Sequence, residues 1–108
     1  MTTVRQQETY PLEPWLLVDR LGAEEFLKDK PVGCYLFRKD EYAALLEKML
    51  PQPVTCFTLT RVEEGGRISD HTLVCKEERW LIYNDDPSLS GPFYETIEEL
   101  LRWMMRHF

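Results

Sequence analysis

The sequence has little positive charge and no long apolar run. Its 13 Lys and Arg residues stand against 19 Asp and Glu residues, which gives a net charge of −6. A chain this acidic has no field that would gather nucleic acid or attract an anionic membrane surface. No window approaches the roughly eighteen apolar residues of a transmembrane helix, and residues 1–5 lack the apolar stretch of a signal peptide. We therefore expect a cytoplasmic protein that binds neither nucleic acid nor membrane.

Cysteine is also scarce, and its placement argues against a disulfide framework or a zinc site. Cys34, Cys56 and Cys75 are an odd number, lie far apart and each stand in an apolar run. None lies in a glycine-rich turn or at the start of a predicted helix, as an activated nucleophile would. The acidic pair at residues 85–86 has too few oxygen ligands around it for calcium. We therefore expect reduced core thiols, no enzymatic activity, no metal and no cofactor.

The 108 residues are enough for one domain and too few for two. Residues 1–13 are polar, and we expect them to form an arm ahead of a single domain at residues 14–108. Periodicity predicts strands at residues 15–18, 34–38, 55–62, 67–75 and 79–83, a turn at 63–66, and helices at 20–29, 41–50 and from 94 onward. Asp19 is predicted to be the N-cap of the first helix. The pattern favours an α+β fold, a central antiparallel β-sheet flanked by two α-helices. The run at 34–38, apolar on both faces, is predicted to be the central strand, with the helix at 41–50 inserted after it.

Arg38 is the most informative residue because it ends the otherwise apolar strand at 34–38. A guanidinium keeps its charge and is costly to bury without an anion. Two interpretations are open on this feature alone. In the first, Arg38 simply marks the exit of the strand into solvent or pairs with one of the 19 carboxylate side chains of the sequence. In the second, Arg38 forms the floor of an anion pocket.

Six sequence blocks resemble, in order, those of Src homology 2 domains, the phosphotyrosine-binding modules. Residues 33–38 (GCYLFR) resemble the family's Gly-Ser-Phe-Leu-Val-Arg strand, and residues 20–27 (RLGAEEFL) resemble its first helix, Arg-x-Glu-Ala-Glu-x-Leu-Leu. The other blocks are Trp15 and residues 57–60 (FTLT), 69–74 (SDHTLV) and 94–101 (YETIEELL). The resemblance implies the family's fold, a central antiparallel sheet between two helices.

The resemblance also implies a phosphotyrosine site. Arg38 would hold the phosphate at the pocket floor through a forked pair of hydrogen bonds. Arg20 would contact the phosphate and the ring face, and His71 would lie beside the phenol ring or within the pocket wall. Thr58 would supply a hydroxyl contact. The implied partners are tyrosine-phosphorylated proteins or peptides, bound by a monomer.

Two departures from the family concern the phosphate site itself. Asp40 stands where the family usually has Ser, and the predicted helix at 41–50 replaces the loop that wraps the phosphate. We expect Asp40 to turn away as a helix cap while Lys39 and helix amides face the anion. The second departure is Leu73, which stands where the family commonly has a phosphate-contacting Lys.

A third departure concerns selectivity. The sequence ends at Phe108, whereas the family continues into a wall for the residues after phosphotyrosine, so we expect low selectivity for flanking residues. Similar departures occur in the divergent Src homology 2 domains of bacterial effector proteins. If the protein is a secreted effector of this type, we expect it in the host cytosol. The alternative is a degenerate Src homology 2-like fold that acts as a protein–protein packing unit without binding phosphotyrosine. Asp40 favours that alternative, whereas the joint presence of Arg20, Arg38 and His71 argues against it.

Overall fold

The computed structural model describes residues 15–107 and shows a four-stranded antiparallel sheet with helices on both faces. The strands are β1 (Tyr35–Arg38), β2 (Thr55–Val62), β3 (Ile68–Lys76) and β4 (Arg79–Ile82), and the helices are α1 (Arg20–Leu27), α2 (Glu41–Met49) and α3 (Ile97–His107). A short 3-10 turn, Glu64–Gly66, joins β2 to β3. The α+β class is thereby confirmed. The predicted arm at residues 1–13 and the last residue, Phe108, lie outside the described residues.

The strand order is β1-β2-β3-β4, so β1 lies at an edge of the sheet. The prediction that this strand is central was wrong. Leu36 packs against α1 and Phe37 packs against α3, which accounts for the apolar residues on both faces. The predicted strand at 15–18 is reduced to an isolated parallel bridge between Trp15 and Phe37, beside which the Leu16 N–H donates to the Phe37 carbonyl at 3.0 Å. Burial of both faces thus does not require a full partner strand on both edges.

Side chains alternate between the two faces of the sheet along each strand. Val62 packs with residues of α1, and Cys56 packs with residues of α2, so these two helices share one face, called here the α1–α2 face. Phe57 and Leu59 pack with α3 on the opposite face, called the α3 face. Helix α2 corresponds to the predicted insertion at 41–50.

Aspartate caps begin both helices of the α1–α2 face, as the sequence predicts. The Asp19 carboxylate accepts the Gly22 N–H at 2.9 Å, and the Asp40 carboxylate accepts the Ala43 N–H at 2.8 Å. Because Asp40 follows the end of β1 by two residues, the cap turns the chain directly from the strand into α2. The end of β1 and the N-termini of α1 and α2 consequently lie around one space.

Candidate functional site

A cavity of about 660 Å³ opens between the N-termini of α1 and α2 at the end of β1. Three parts of the chain line it, namely residues 17–20, residues 38–42 and Asp70 of β3. Residues 17–20 lead into α1 and residues 38–42 lead into α2, so the position of the cavity follows from the caps of these two helices. Leu17 and Tyr42, both largely exposed, give it apolar walls.

Arg38 lies at the floor of this cavity with its side chain only 2% exposed. Its Nε donates to the Thr60 Oγ1 at 3.0 Å, and its Nη2 donates to the Asp70 Oδ2 at 3.2 Å. Its Nη2 also lies 3.7 Å from the Asp40 Oδ2, so the cap of α2 still faces Arg38. Exit of Arg38 into solvent is therefore contradicted. The guanidinium is buried, lines a cavity and is paired with carboxylates.

Asp70 links Arg38 to Arg20. Its Oδ2 accepts from the Arg20 Nη1 at 2.8 Å and from the Arg38 Nη2 at 3.2 Å. Its Oδ1 accepts from the Thr60 hydroxyl at 2.6 Å. Thr60 and Asp70 are cross-strand partners in β2 and β3, which places both on the α1–α2 face with Arg38. One carboxylate thus bridges the two guanidiniums expected to bind phosphate.

Arg20 approaches the cavity from the start of α1, with its side chain 44% exposed. Besides its bond to Asp70, its Nε donates to the Glu24 Oε2 at 2.9 Å and its Nη2 donates to the Ile68 carbonyl at 3.0 Å. Three anchoring points fix the guanidinium at the rim of the cavity. The structure therefore brings Arg20 and Arg38 together.

Lys39 lines the cavity, but its ammonium group is engaged elsewhere. It forms an ion pair with Glu47 of α2 and lies 5.3 Å from the centre of the Phe57 ring. The same Glu47 carboxylate accepts the Cys56 N–H at 2.6 Å. Lys39 thus joins α2 to the sheet edge, and in this conformation its charge is directed at Glu47 rather than at the floor of the cavity.

Thr58 is buried directly across the strand pair from Arg38, on the same face. Its Oγ1 has no hydrogen-bond partner among residues 15–107. The structure brings Thr58 beside Arg38, but it does not line the cavity. The hydroxyl that holds the guanidinium is that of Thr60, two residues further along β2.

His71 lies on the α3 face, away from the cavity. It is the cross-strand partner of Leu59, which packs against α3, whereas its neighbour Asp70 shares the α1–α2 face with Arg38. Consecutive side chains of a strand point to opposite faces. The structure therefore does not bring His71 together with the two arginines, and Asp70 stands on the cavity side instead.

His71 belongs to a polar cluster with Glu63 and Ser69 near the start of β3, on the opposite face of the sheet from Asp70. Its Nε2 lies 3.3 Å from the Ser69 Oγ and 3.3 Å from the Glu63 Oε2. Burial lowers the pKa of His71 below its usual value, although the hydrogen bond with Glu63 acts in the opposite direction. The hydrogen bond from Ser69, at 2.5 Å, is the main cause that lowers the pKa of Glu63 to about 2. Ser69 and Glu63 both meet the same ring nitrogen, whereas a catalytic triad places its nucleophile and its carboxylate on opposite nitrogens.

Acidic residues outnumber basic residues around the cavity. Its lining holds three basic residues and four acidic ones, namely Arg20, Arg38 and Lys39 against Asp19, Asp40, Glu41 and Asp70. Each basic side chain has a carboxylate partner, which is Asp70 for both arginines and Glu47 for the lysine. An anionic ligand would therefore compete with side chains of the protein itself.

Burial makes two of the three thiols, Cys56 and Cys75, poor nucleophiles. All three cysteines are unpaired, and Cys56 is fully buried. Burial raises the pKa of Cys56 to about 11 and raises that of Cys75, which disfavours a nucleophilic thiolate at neutral pH. Within residues 15–107 no group of three or more His, Cys, Asp or Glu side chains is placed to hold a metal ion.

Comparison of the chain with models of known protein families finds no match, and neither does comparison with curated proteins. The resemblance to Src homology 2 domains rests on the residues described above and stays a prediction. Over the described part of the chain, none of the helices has the length and apolar character needed to cross a membrane.

Sequence reasoning missed Thr60 and Asp70, the two residues that contact Arg38 most closely. The signal for both was period-two alternation. Thr58 and Thr60 are two residues apart in β2 and must share a face. The turn signal at residues 63–66 indicates which residues of β3 lie opposite, and the observed register pairs Thr60 with Asp70.

Proposed function

We propose that the protein binds phosphotyrosine-containing peptides and that Arg38 takes the phosphate. The observation that carries this proposal is a guanidinium only 2% exposed at the floor of an open cavity. Arg20 reaches the same cavity, where two helix N-termini also lie. A phosphate ester carries about −1.5 to −2 charge and three acceptor oxygens, which suits forked donors and helix amides.

The depth of the site favours phosphotyrosine over phosphoserine. Arg38 is buried at the cavity floor, whereas Leu17 and Tyr42 stand exposed at its walls. A phenol ring would lie between such apolar walls while its phosphate reaches the guanidinium. Phosphoserine is shorter by a ring and would leave Arg38 without its phosphate contact. The partners would be tyrosine-phosphorylated proteins or peptides.

A second candidate is a packing unit that uses the same fold without binding phosphotyrosine. The observation in its favour is the bridge from Asp70 to both Arg20 and Arg38. A guanidinium pair satisfied by an internal carboxylate needs no external anion for the fold to be stable.

The two candidates are separated by a fluorescence-anisotropy titration with a phosphotyrosine peptide and its unphosphorylated twin. We expect binding of the phosphorylated peptide alone. Arg38→Ala should weaken binding by more than about 2 kcal/mol, the scale of charge-assisted contacts. Arg38→Lys, which keeps the charge but loses the fork, should weaken it less. Arg67→Ala is the matched control, since this arginine is 76% exposed and lies outside the cavity lining.

Absence of binding by folded wild-type protein would contradict the phosphotyrosine proposal and favour the packing unit. Circular dichroism and a thermal melt of each variant establish that Arg38→Ala still folds. Equal binding of both peptides would also contradict the proposal, because the contact with Arg38 requires the phosphate.

A further inference from the structure

Asp70 holds the place that an anionic ligand would take between the two arginines. One of its carboxylate oxygens accepts from Arg20 at 2.8 Å and from Arg38 at 3.2 Å. The other accepts from the Thr60 hydroxyl at 2.6 Å. Forked guanidiniums bind the oxygens of an external carboxylate or phosphate in the same manner.

Asp70 also lies on the solvent side of Arg38. The Arg38 side chain is 2% exposed and that of Asp70 is 29% exposed, although the two are in direct contact. Asp70 lies within β3 and pairs with Thr60 of β2, so its backbone is fixed by the sheet. For the carboxylate to leave the guanidiniums, its side chain would have to rotate and give up its bond from Thr60. A ligand that enters the cavity therefore meets Asp70 before it meets Arg38.

We propose that Asp70 determines which anions the site accepts, by acting as an internal competitor that a ligand must displace. This inference rests on the proposed binding of phosphotyrosine. A carboxylate or a sulfate ester carries a single negative charge, so exchange for the Asp70 carboxylate brings no gain in charge at the two guanidiniums. A phosphate ester brings about −1.5 to −2 charge and three acceptor oxygens, and it therefore displaces Asp70. Acidic side chains and sulfotyrosine are excluded by the same competition.

The test compares two peptides of one sequence, carrying phosphotyrosine or sulfotyrosine, against wild type, Asp70→Asn and Asp70→Ala at constant ionic strength. Wild type is expected to bind the phosphopeptide and to show no measurable binding of the sulfopeptide. Both variants are expected to bind the phosphopeptide about tenfold more tightly and to gain measurable binding of the sulfopeptide.

Glu25→Gln is the matched control for this experiment. It changes the net charge by the same single unit on the helix that carries Arg20, but the Glu25 side chain is exposed and lies outside the cavity lining. Its affinities should stay within about twofold of wild type, since an exposed charge outside the site contributes little. An equal gain in Glu25→Gln would overturn the specific role of Asp70 in favour of a general effect of charge.

The outcomes separate this inference from the proposed function. If wild type binds the phosphopeptide and both Asp70 variants bind it equally or more weakly, Asp70 positions the arginines and the competitor role is wrong. If only the variants bind, the competitor role is supported, and phosphotyrosine binding by the wild-type protein is contradicted. If no form binds either peptide, both ideas fail.

A measurement on wild type avoids dependence on the folding of the variants. The carboxyl carbon of Asp70, observed by NMR with ¹³C-labelled aspartate, should shift when the phosphopeptide is added and stay unchanged with the sulfopeptide. Binding of the phosphopeptide without a shift of this resonance would overturn the inference, because the carboxylate would then have stayed on the guanidiniums.

Discussion

Glu47, in the second half of α2, accepts a hydrogen bond from the backbone N–H of Cys56, with 2.6 Å between the two atoms. The same carboxylate is paired with Lys39, which precedes the helix. Glu47 therefore links α2 to Lys39, which follows β1 directly, and to the start of β2. Because the start of α2 supplies a wall of the cavity, the shape of the cavity depends on these two contacts of Glu47.

We predict that Glu47→Ala destabilises the fold by about 1–3 kcal/mol, because it leaves the Cys56 amide without its partner. Urea denaturation followed by circular dichroism measures the change. Glu25→Ala, on the exposed side of α1, serves as the control and should change the free energy of unfolding by no more than about 0.5 kcal/mol. Equal stability of Glu47→Ala and wild type would show that the bond from the Cys56 amide contributes nothing net.

Lys39→Ala should weaken phosphotyrosine binding far less than Arg38→Ala does. Its ammonium is held by Glu47 and lies over the Phe57 ring, so removal costs the ligand little direct contact. We expect a loss of affinity of about threefold or less, the scale of an indirect change in charge. Isothermal titration calorimetry on the two variants decides the matter. A loss as large as that of Arg38→Ala would mean that Lys39 leaves Glu47 and turns to the ligand.

His71→Ala is expected to leave phosphotyrosine affinity within about twofold of wild type, as for a distant and independent site. The sheet separates this side chain from Arg38, and its hydrogen bonds are made with Ser69 and Glu63 on the α3 face. The anisotropy titration measures the effect. A tenfold loss with an intact fold would place His71 in the ligand site and contradict the assignment of faces.

Stability is expected to fall in acid partly through Glu63. Its hydrogen bond from Ser69 is the main cause that lowers its pKa from 4.5 to about 2. A lowered pKa means that the unfolded state takes up protons first, so this contribution is present above pH 4.5 and is lost as the pH falls toward 2. Glu63→Gln should flatten the decline of stability over that window. Denaturation at several pH values checks this, and parallel curves for the two proteins would count against it.

Local structure could be predicted from this sequence more fully than the site. The caps Asp19 and Asp40 and the strand at 55–62 follow from short-range chemistry and alternation, and the structure confirms them. The edge position of β1 depends on which segments lie beside it, and periodicity within the strand does not contain that information.

The candidate site was also predicted only in part, because strand periodicity does not say which face of the sheet a residue occupies. Arg20 and Arg38 were predicted to meet, and they do. His71 was expected beside them because the resemblance placed it there, but a strand offset by one residue turns every side chain to the opposite face. The register of β2 and β3, with its turn at Glu64–Gly66, sets Asp70 on the cavity side. Whether an imidazole or a carboxylate stands at that place thus depended on a single step of register.

The contact between Arg20 and Asp70 joins residues 50 positions apart in the chain. The hairpins β2–β3 and β3–β4 need only short loops, so they can form early in folding, whereas the closure between α1 and β3 has a larger entropic cost. We expect this closure to be absent from the transition state of folding. A ligand bound across Arg20 and Arg38 would then slow unfolding and leave the folding rate unchanged.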